Sequence, residues 1–173
     1  TMCLVRRRLG RCCPEPFVFY MLPRMGKVYF VDTTLRDGPS SLWAMGIRTD
    51  MMLPVAATMD EAGFLAMEII ASAFFKKCVR ELKDDPWARV RRVKELAPKT
   101  PLRLIRNRYM AAFQHTSPAV QQLWLERLSA NGITEARTSD PSNTPAVWAE
   151  QVRTATAAGL DTIVNLIFSI SPK

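Results

Sequence analysis

The sequence predicts an α/β fold, namely part of a (β/α)8 TIM barrel with about five parallel strands and four helices. Short apolar, β-branched runs alternate with stretches of helical periodicity from residue 27 onward. The centres of successive strands lie about 30 to 37 residues apart, which is roughly the length of one strand–helix unit. A complete barrel takes about 250 residues, whereas this chain has 173. The chain therefore matches the first five of eight units.

The first predicted unit and the strand after it occupy residues 28–71. Val28–Asp32 is β-branched and aromatic, as is typical of a strand. Thr49–Gly63 has apolar residues at helical spacing, begins with a residue type suited to an N-cap and ends in glycine. Phe64–Ala71 is an apolar run of strand length that contains a single carboxylate, Glu68. A carboxylate in such a run needs a partner if it is buried.

Proline and glycine delimit the later units. Each remaining helix is expected to start with proline at its first position, where the missing N–H costs nothing. Asp85 and Ser117 precede two of these prolines and are suitable N-caps. The predicted helices start at Pro86, Pro118 and Pro145, and the predicted strands are Pro101–Arg106, Ile133–Thr138 and Asp161–Ser169.

The charge of the chain is concentrated at its N-terminus. The net charge is +8, but residues 1–27 carry six basic side chains and one acidic one. The remaining residues form an ordinary mixed surface, which argues against a nucleic-acid-binding protein. No apolar run reaches the roughly 18 residues of a membrane span. We therefore expect neither nucleic acid nor a membrane as a partner.

Residues 1–26 have no clear period and are interpreted as a basic, poorly structured extension before a barrel portion at 27–173. The four cysteines show no zinc-type spacing, which favours a reducing compartment. A cytoplasmic location is expected. The mitochondrial matrix is the alternative, because the extension is rich in arginine and poor in acidic residues.

Polar residues collect where the predicted strands end. Active sites of (β/α)8 barrels lie at the C-terminal ends of the strands, so these residues are candidates for one site. A carboxylate beside an arginine can hold a divalent cation and a carboxylate-bearing substrate. The candidates are Arg36, Asp37, Glu68, Arg106, Asp140 and Asn143.

The stretch DTTLRDG, Asp32 to Gly38, resembles the strand-1 signature of the DRE-TIM metallolyases. That superfamily includes 3-hydroxy-3-methylglutaryl-CoA lyase, isopropylmalate and homocitrate synthases, and the carboxyltransferase domains of pyruvate carboxylase and oxaloacetate decarboxylase. The resemblance implies that Asp37 is a ligand of Zn, Mn or Mg. It also implies that Arg36 stabilises an enolate or binds the substrate carbonyl, and that Glu68 orients this arrangement.

Further motifs resemble the carboxylase branch of the superfamily. TDMMLPVAATMDEAGF followed by MEII, DDPWARVR and the closing SISP are in the order seen there, over about Val28–Lys173. Ser40 stands where the branch has a glutamine that contacts the keto acid. Arg106 best matches the substrate arginine, and Asp140 and Asn143 lie where strand 4 of the branch ends in F-D-A-L-N-D. The other metal ligands of the family, a lysine and a His-x-His pair, belong to later strands.

The resemblance implies a metal-dependent carboxyltransferase or decarboxylase that acts on a small keto acid or acyl substrate through an enolate. Carboxybiotin would come from another chain or domain, such as a biotin carrier protein. A homo-oligomer or a complementary subunit would supply the missing strands. Two alternatives remain open: a C–C lyase or condensing enzyme of the same superfamily, and a non-catalytic partial barrel that serves as an assembly or regulatory subunit.

Overall fold

A computed structural model describes residues 28–107 and 116–168. The N-terminal extension and the predicted end of the fifth strand at Ser169 lie outside these residues. The described residues form one sheet of five parallel strands in the order 1-2-3-4-5. The strands are β1 (Val31–Asp32), β2 (Ala66–Ala71), β3 (Leu102–Asn107), β4 (Ile133–Ser139) and β5 (Asp161–Asn165).

Six α-helices occur in the described part of the chain, which is two more than predicted. They are α1 (Asp37–Leu42), α2 (Thr49–Glu61), α3 (Ser72–Lys77), α4 (Pro86–Leu96), α5 (Pro118–Ala130) and α6 (Pro145–Ala157). A π-helical turn, Cys78–Leu82, continues α3. The two unpredicted helices, α1 and α3, have six residues each, too few to show a helical period in the sequence. No helix among the described residues has both the length and the apolar character needed to cross a membrane.

The strand order is that of a barrel wall. Each strand pairs in parallel with the next one along the chain, and a helix lies between them in sequence. A doubly wound sheet would reverse its strand order at a switch point, and no reversal occurs among these five strands. The predicted architecture, five parallel strands of a partial barrel, is therefore observed.

The first and fifth predicted strands are shorter in the structure by three residues or more, and the second is shorter by two. Only Val31–Asp32 of the first strand pairs with β2, although Leu65 N–H donates to the Phe30 carbonyl at 2.8 Å. Val28, Tyr29 and Phe30 are exposed. The fifth strand ends at Asn165, before Leu166. The first and fifth strands each lie at an edge of the described sheet, where one side offers no ladder partner to extend them.

The proline-led helix starts follow the prediction closely. The Asp85 carboxylate accepts from Trp87 N–H at 2.8 Å, and Ser117 Oγ accepts from Val120 N–H at 3.4 Å. Thr49 differs from its expected role as a cap. It is the first residue of α2, and its N–H and hydroxyl donate to Asp84 at 2.9 and 2.7 Å.

The core lies between the sheet and the helices. Buried aliphatic residues from β2 and β3 pack against α4 and α5, and Phe75 meets the rings of Trp87 and Trp124 edge to face. Burial of each such side chain contributes about 1.5–3 kcal/mol. This packing fixes the strands whose C-terminal ends carry the candidate site. The core includes Met67, Ile69, Leu102, Leu104, Val90, Val93, Leu125 and Leu128.

Candidate functional site

The turn between β1 and α1 places Arg36. The Thr33 carbonyl accepts from the N–H groups of Arg36 and Asp37 at 3.1 and 2.7 Å. The Asp32 carboxylate accepts from the N–H and the hydroxyl of Thr34 at 3.0 and 2.8 Å. Asp32 thus uses its carboxylate to shape the turn, as aspartate commonly does. The turn directs Arg36 across the sheet toward β2.

Arg36 links a buried carboxylate to an exposed one. Its Nη2 lies 2.5 Å from Glu68 Oε2, and its Nη1 lies 2.6 Å from Asp37 Oδ1. The side chains of Glu68, Arg36 and Asp37 are 2%, 13% and 56% exposed, so the chain of ion pairs runs from the core to the surface. Arg36 Nε has no hydrogen-bond partner among the described residues. This Nε is also buried, so the guanidinium is held from two sides through its terminal nitrogens and is unpaired only at an inaccessible atom.

Ser40 lies one helical turn after Arg36. Its hydroxyl donates to the Arg36 carbonyl oxygen at 2.8 Å, and its side chain is half-buried. The structure therefore brings four of the predicted site residues together: Arg36, Asp37, Ser40 and Glu68.

A second arginine binds Glu68 from β4. Arg137 Nη2 donates to Glu68 Oε2 at 3.4 Å, and Arg137 Nε forms an ion pair with Oε1 at 2.9 Å without the alignment of a hydrogen bond. Arg103 from β3 is farther away, with 4.0 Å between its Nη1 and Glu68 Oε1. Arg103 instead binds Glu135, through Nη2 at 2.7 Å and Nε at 2.8 Å. Sequence reasoning did not assign roles to Glu135 or Arg137, although both stand on β4 at the alternate positions that share one face.

This inner cluster, defined as Arg36, Glu68, Arg103, Glu135 and Arg137, holds three guanidinium groups and two carboxylates. Such a group is tolerated in a core only when nearly every charge has a partner. Barrel interiors are usually filled by branched apolar residues. The charged inner cluster therefore costs stability compared with an apolar interior. We interpret this cost as a sign that the cluster serves the candidate site.

Arg106 lies on the other face of β3. Its guanidinium donates to Gln121 Oε1 at 3.1 Å, to the Gln151 carbonyl at 3.0 Å and to Thr154 Oγ1 at 2.7 Å. Burial lowers the pKa of Arg106 from its ordinary value. The side chain is committed to α5 and α6, so this placement does not fit the predicted substrate contact.

Asp140 and Asn143 shape the loop after β4. Asp140 is buried, and its Oδ1 accepts from the N–H and the hydroxyl of Ser142 at 2.8 and 2.6 Å. Asn143 has a φ of 50° and binds the backbone of Ile167 twice, accepting from its N–H at 3.0 Å and donating to its carbonyl at 2.5 Å. Both residues lie at the same end of the sheet as Arg36, but their side chains organise backbone there.

The described residues do not form a metal site by themselves. Within residues 28–107 and 116–168, no group of three or more His, Cys, Asp or Glu side chains could hold an ion. Asp37 offers one exposed carboxylate, and one of its oxygens is paired with Arg36. A divalent cation needs several oxygen or nitrogen ligands.

A cavity of about 460 Å³ adjoins the end of β1 at Asp32. It is lined mainly by α2 and by the turn after β1, and it shares no residue with the inner cluster. The lining residues are Asp32, Thr34, Val55, Thr58, Met59 and Phe64.

Several curated proteins are similar in sequence, although no family model matches the chain. A pyruvate carboxylase subunit from Methanocaldococcus jannaschii is 36% identical over 146 residues, which cover 84% of this chain and 26% of that protein. The large subunit of 2-oxoglutarate carboxylase from Hydrogenobacter thermophilus is 38% identical over 118 residues, 68% of this chain and 18% of that protein. The methylmalonyl-CoA carboxyltransferase 5S subunit of Propionibacterium freudenreichii subsp. shermanii is 28% identical over 147 residues, 84% of this chain and 29% of that subunit.

Solved structures share the fold. The carboxyl transferase domain of Rhizobium etli pyruvate carboxylase with 3-hydroxypyruvate superposes with a TM-score of 0.73 at 25% identity, over 79% of this chain and 23% of that chain. A variant of Rhizobium etli pyruvate carboxylase crystallised without acetyl coenzyme-A gives 0.74 at 25% identity, over 80% and 14%. These likenesses confirm the partial (β/α)8 barrel. The chain spans about a quarter or less of the length of these two structures and of the two carboxylase subunits.

Proposed function

The chain is homologous to a segment of the carboxyltransferase subunits and domains of pyruvate carboxylase-type enzymes, and on this premise we propose that it contributes the enolate-stabilising part of a carboxyltransferase site. The reaction would move a carboxyl group between carboxybiotin, carried by another chain or domain, and a small keto acid. The substrate would lose a proton beside its carbonyl group, the resulting enolate carbon would take up the carboxyl group, and the carrier nitrogen that gave up the carboxyl group would take the proton.

One observation carries the proposal: the guanidinium of Arg36 is fixed before any substrate arrives. Glu68 and Asp37 hold its two terminal nitrogens at 2.5 and 2.6 Å. When the substrate loses its proton, negative charge moves to the carbonyl oxygen. A preset N–H donor stabilises that charge without reorganising, and one such donor typically contributes about 10²–10³-fold in rate. The part of the Arg36 side chain that stays exposed, 13% of its surface, is where the proposal places the substrate oxygen.

The relatives support a 2-keto acid as the substrate class, and Ser40 is the residue proposed to contact it. Two of the relatives are named for carboxylation of pyruvate and 2-oxoglutarate, which are both 2-keto acids. Ser40 has a shorter side chain than the glutamine expected at its position, so it would contact a keto acid only if that acid lies close to α1. We retain Ser40 as a substrate contact in this proposal. Arg106 is left out because its donors are used by α5 and α6.

The metal and the partners are further parts of the proposal. Asp37 would provide one ligand, and groups outside the described residues would provide the rest. β1 and β5 each have one unpaired edge in the described sheet, and Tyr29, Phe30 and Phe168 are exposed. Open edges and exposed aromatic side chains favour association. A complementary subunit or further barrel strands would cover them, and a biotin carrier would deliver the carboxyl group.

Proton exchange tests the proposal without biotin. The protein, purified with whatever subunits accompany it, is incubated in D2O with pyruvate or 2-oxoglutarate, and loss of the proton signal beside the carbonyl is followed by NMR. We expect exchange above the buffer rate, and its loss in Arg36→Met but not in Arg91→Met, which removes an exposed arginine of α4. Absence of exchange with both acids would overturn the enzymatic proposal and favour a non-catalytic assembly subunit.

A further inference from the structure

Arg137 belongs to the inner cluster, and Glu68 is its only carboxylate contact among the described residues. Arg137 stands on β4 and Glu68 on β2, so one strand lies between them. We propose that Arg137 is a positioning residue that fixes Glu68, so that Glu68 in turn fixes Arg36. The effect of Arg137 on catalysis rests on the proposed function. The claim that Arg137 fixes Glu68 and Arg36 rests on the contacts alone.

The contacts around Glu68 are shared between two arginines. Oε2 faces Arg36 Nη2 at 2.5 Å and Arg137 Nη2 at 3.4 Å, while Oε1 faces Arg137 Nε at 2.9 Å. Arg137 therefore approaches both oxygens, whereas Arg36 uses one of them. The carboxylate is bridged between a guanidinium from the β1–α1 turn and one from β4.

This bridge restricts a motion that Arg36 alone would leave open. The terminal torsion of a glutamate is broad and roughly two-fold, so a single-point contact does not fix the carboxylate plane. Arg137 adds a hydrogen bond to Oε2 and an ion pair to Oε1, and two contacts on different oxygens restrict that plane more than one contact does. With the plane restricted, Oε2 points to one place, and Arg36 Nη2 is held there. Misplacement of a catalytic group by about 1 Å can cost up to 10²-fold in rate.

Arg103 is a second buried arginine of the inner cluster, but its position does not let it hydrogen-bond Glu68. It stands on β3, between the strands of Glu68 and Arg137, and is more deeply buried than Arg137. Its nearest approach to Glu68 is 4.0 Å, beyond hydrogen-bond distance, and its donors serve Glu135. Arg103 is therefore a matched control of the same type, on the same face.

The test compares Arg137→Lys with Arg103→Lys in the full chain with its natural assembly partners. Lysine keeps the charge but cannot meet both carboxylate oxygens in one plane. The direct readout is the ¹⁵N–¹H signal of Arg36 Nε, identified by its loss in Arg36→Lys. We expect Arg137→Lys to move or broaden that signal and Arg103→Lys to leave it unchanged. The rate of keto-acid proton exchange should fall about tenfold in Arg137→Lys, with KM nearly unchanged.

Each outcome decides one part of the proposal. An Arg36 signal that is unchanged in Arg137→Lys, or moved equally by Arg103→Lys, overturns the positioning role. A signal that responds only to Arg137→Lys, with no proton exchange in any sample, supports positioning and contradicts the proposed function.

A second variant covers the case in which Arg137→Lys does not fold. Glu68→Asp shortens the bridge, so it should move the Nε signals of Arg36 and Arg137 together. Movement of only one of the two signals would contradict the bridge.

Discussion

Arg103 and Arg106 lie three residues apart on β3, and their guanidinium groups lie on opposite faces of the sheet. Arg103 binds Glu135 in the inner cluster, while Arg106 donates to α5 and α6. Both side chains are buried. Position along the strand therefore decides which of two similar arginines can reach the site.

Replacing Arg106 with Met should reduce stability and leave substrate binding unaffected. The Gln151 carbonyl and Thr154 Oγ1 lose a charged donor, at a cost of about 2–3 kcal/mol in the free energy of unfolding. Urea unfolding measures this cost, and the KM for keto-acid proton exchange measures binding. A large rise in KM at unchanged stability would instead restore the predicted substrate role of Arg106.

Replacing Asp84 with Asn should destabilise the α2–α4 junction by about 3 kcal/mol, because it leaves the buried Arg89 without a counter-charge. Asp84 accepts from Arg89 at 2.9 Å and from the Thr49 hydroxyl at 2.7 Å. Thermal or urea unfolding near neutral pH measures the effect. Asp50→Asn, at an exposed residue paired with Arg48, is the control and should change little.

Asp84 should also make stability depend on pH in the acid range. Burial raises its pKa, but hydrogen bonds from Arg89 and Thr49 outweigh this, so the pKa lies below its usual value. A carboxylate with a lowered folded pKa stabilises fully above its unfolded pKa of about 4 and loses that contribution as pH falls through the folded pKa. We expect Asp84→Asn to flatten the decline of stability below about pH 4. An unchanged slope would contradict this assignment, although Asp60, whose pKa is also lowered, should preserve part of the decline.

Replacing Asn143 with Ala should release the segment after β5. Two hydrogen bonds to the Ile167 backbone are lost, which costs about 1–3 kcal/mol locally. Hydrogen exchange at the Ile167 amide should become faster. Asn143→Gly separates two effects, because glycine accepts the φ of 50° but cannot bind Ile167. If Asn143→Gly kept the slow exchange, backbone conformation and not hydrogen bonding would be the cause.

Replacing Asp37 with Ala should remove a divalent metal from the assembled protein if the ligand proposal is correct. Elemental analysis of the purified assembly measures the metal content before and after the change. Asp50→Ala provides a comparison, because Asp50 is also exposed and also pairs with a neighbouring arginine. Full metal content in Asp37→Ala would exclude Asp37 as a necessary ligand.

Most of the fold could be predicted because its elements have clear limits in the sequence. The prolines at Pro86, Pro118 and Pro145 start helices as predicted. The predicted bounds of β2 and β3 agree with the observed bounds to within two residues. Two helices were missed for different reasons. α1 has the sequence DGPSSL and no apolar period, while α3 starts at Ser72 directly after β2, and the alanine and two phenylalanines that follow continue the apolar run.

The candidate site was only partly accessible to sequence reasoning. A motif predicted Arg36, Asp37 and Glu68, and the structure brings Arg36 and Glu68 together across 32 residues. Their chemical roles remain predictions. Arg137 was missed because it contacts Glu68 across 69 residues and an intervening strand, a relationship that no local pattern reveals. Arg106 lies on the helix side of β3, which the sequence could not show because a strand residue faces the interior or the helices according to register.

The strand order also has a consequence for biosynthesis. Because each strand pairs with the one made just before it, a new strand can join the sheet once the helix between the two has left the ribosome. The Arg36–Glu68 pair can form once β2 has emerged, whereas the Arg137 contact must wait for β4. A nascent chain released after β2 should therefore hold Arg36 loosely, and one released after β4 should hold it in place.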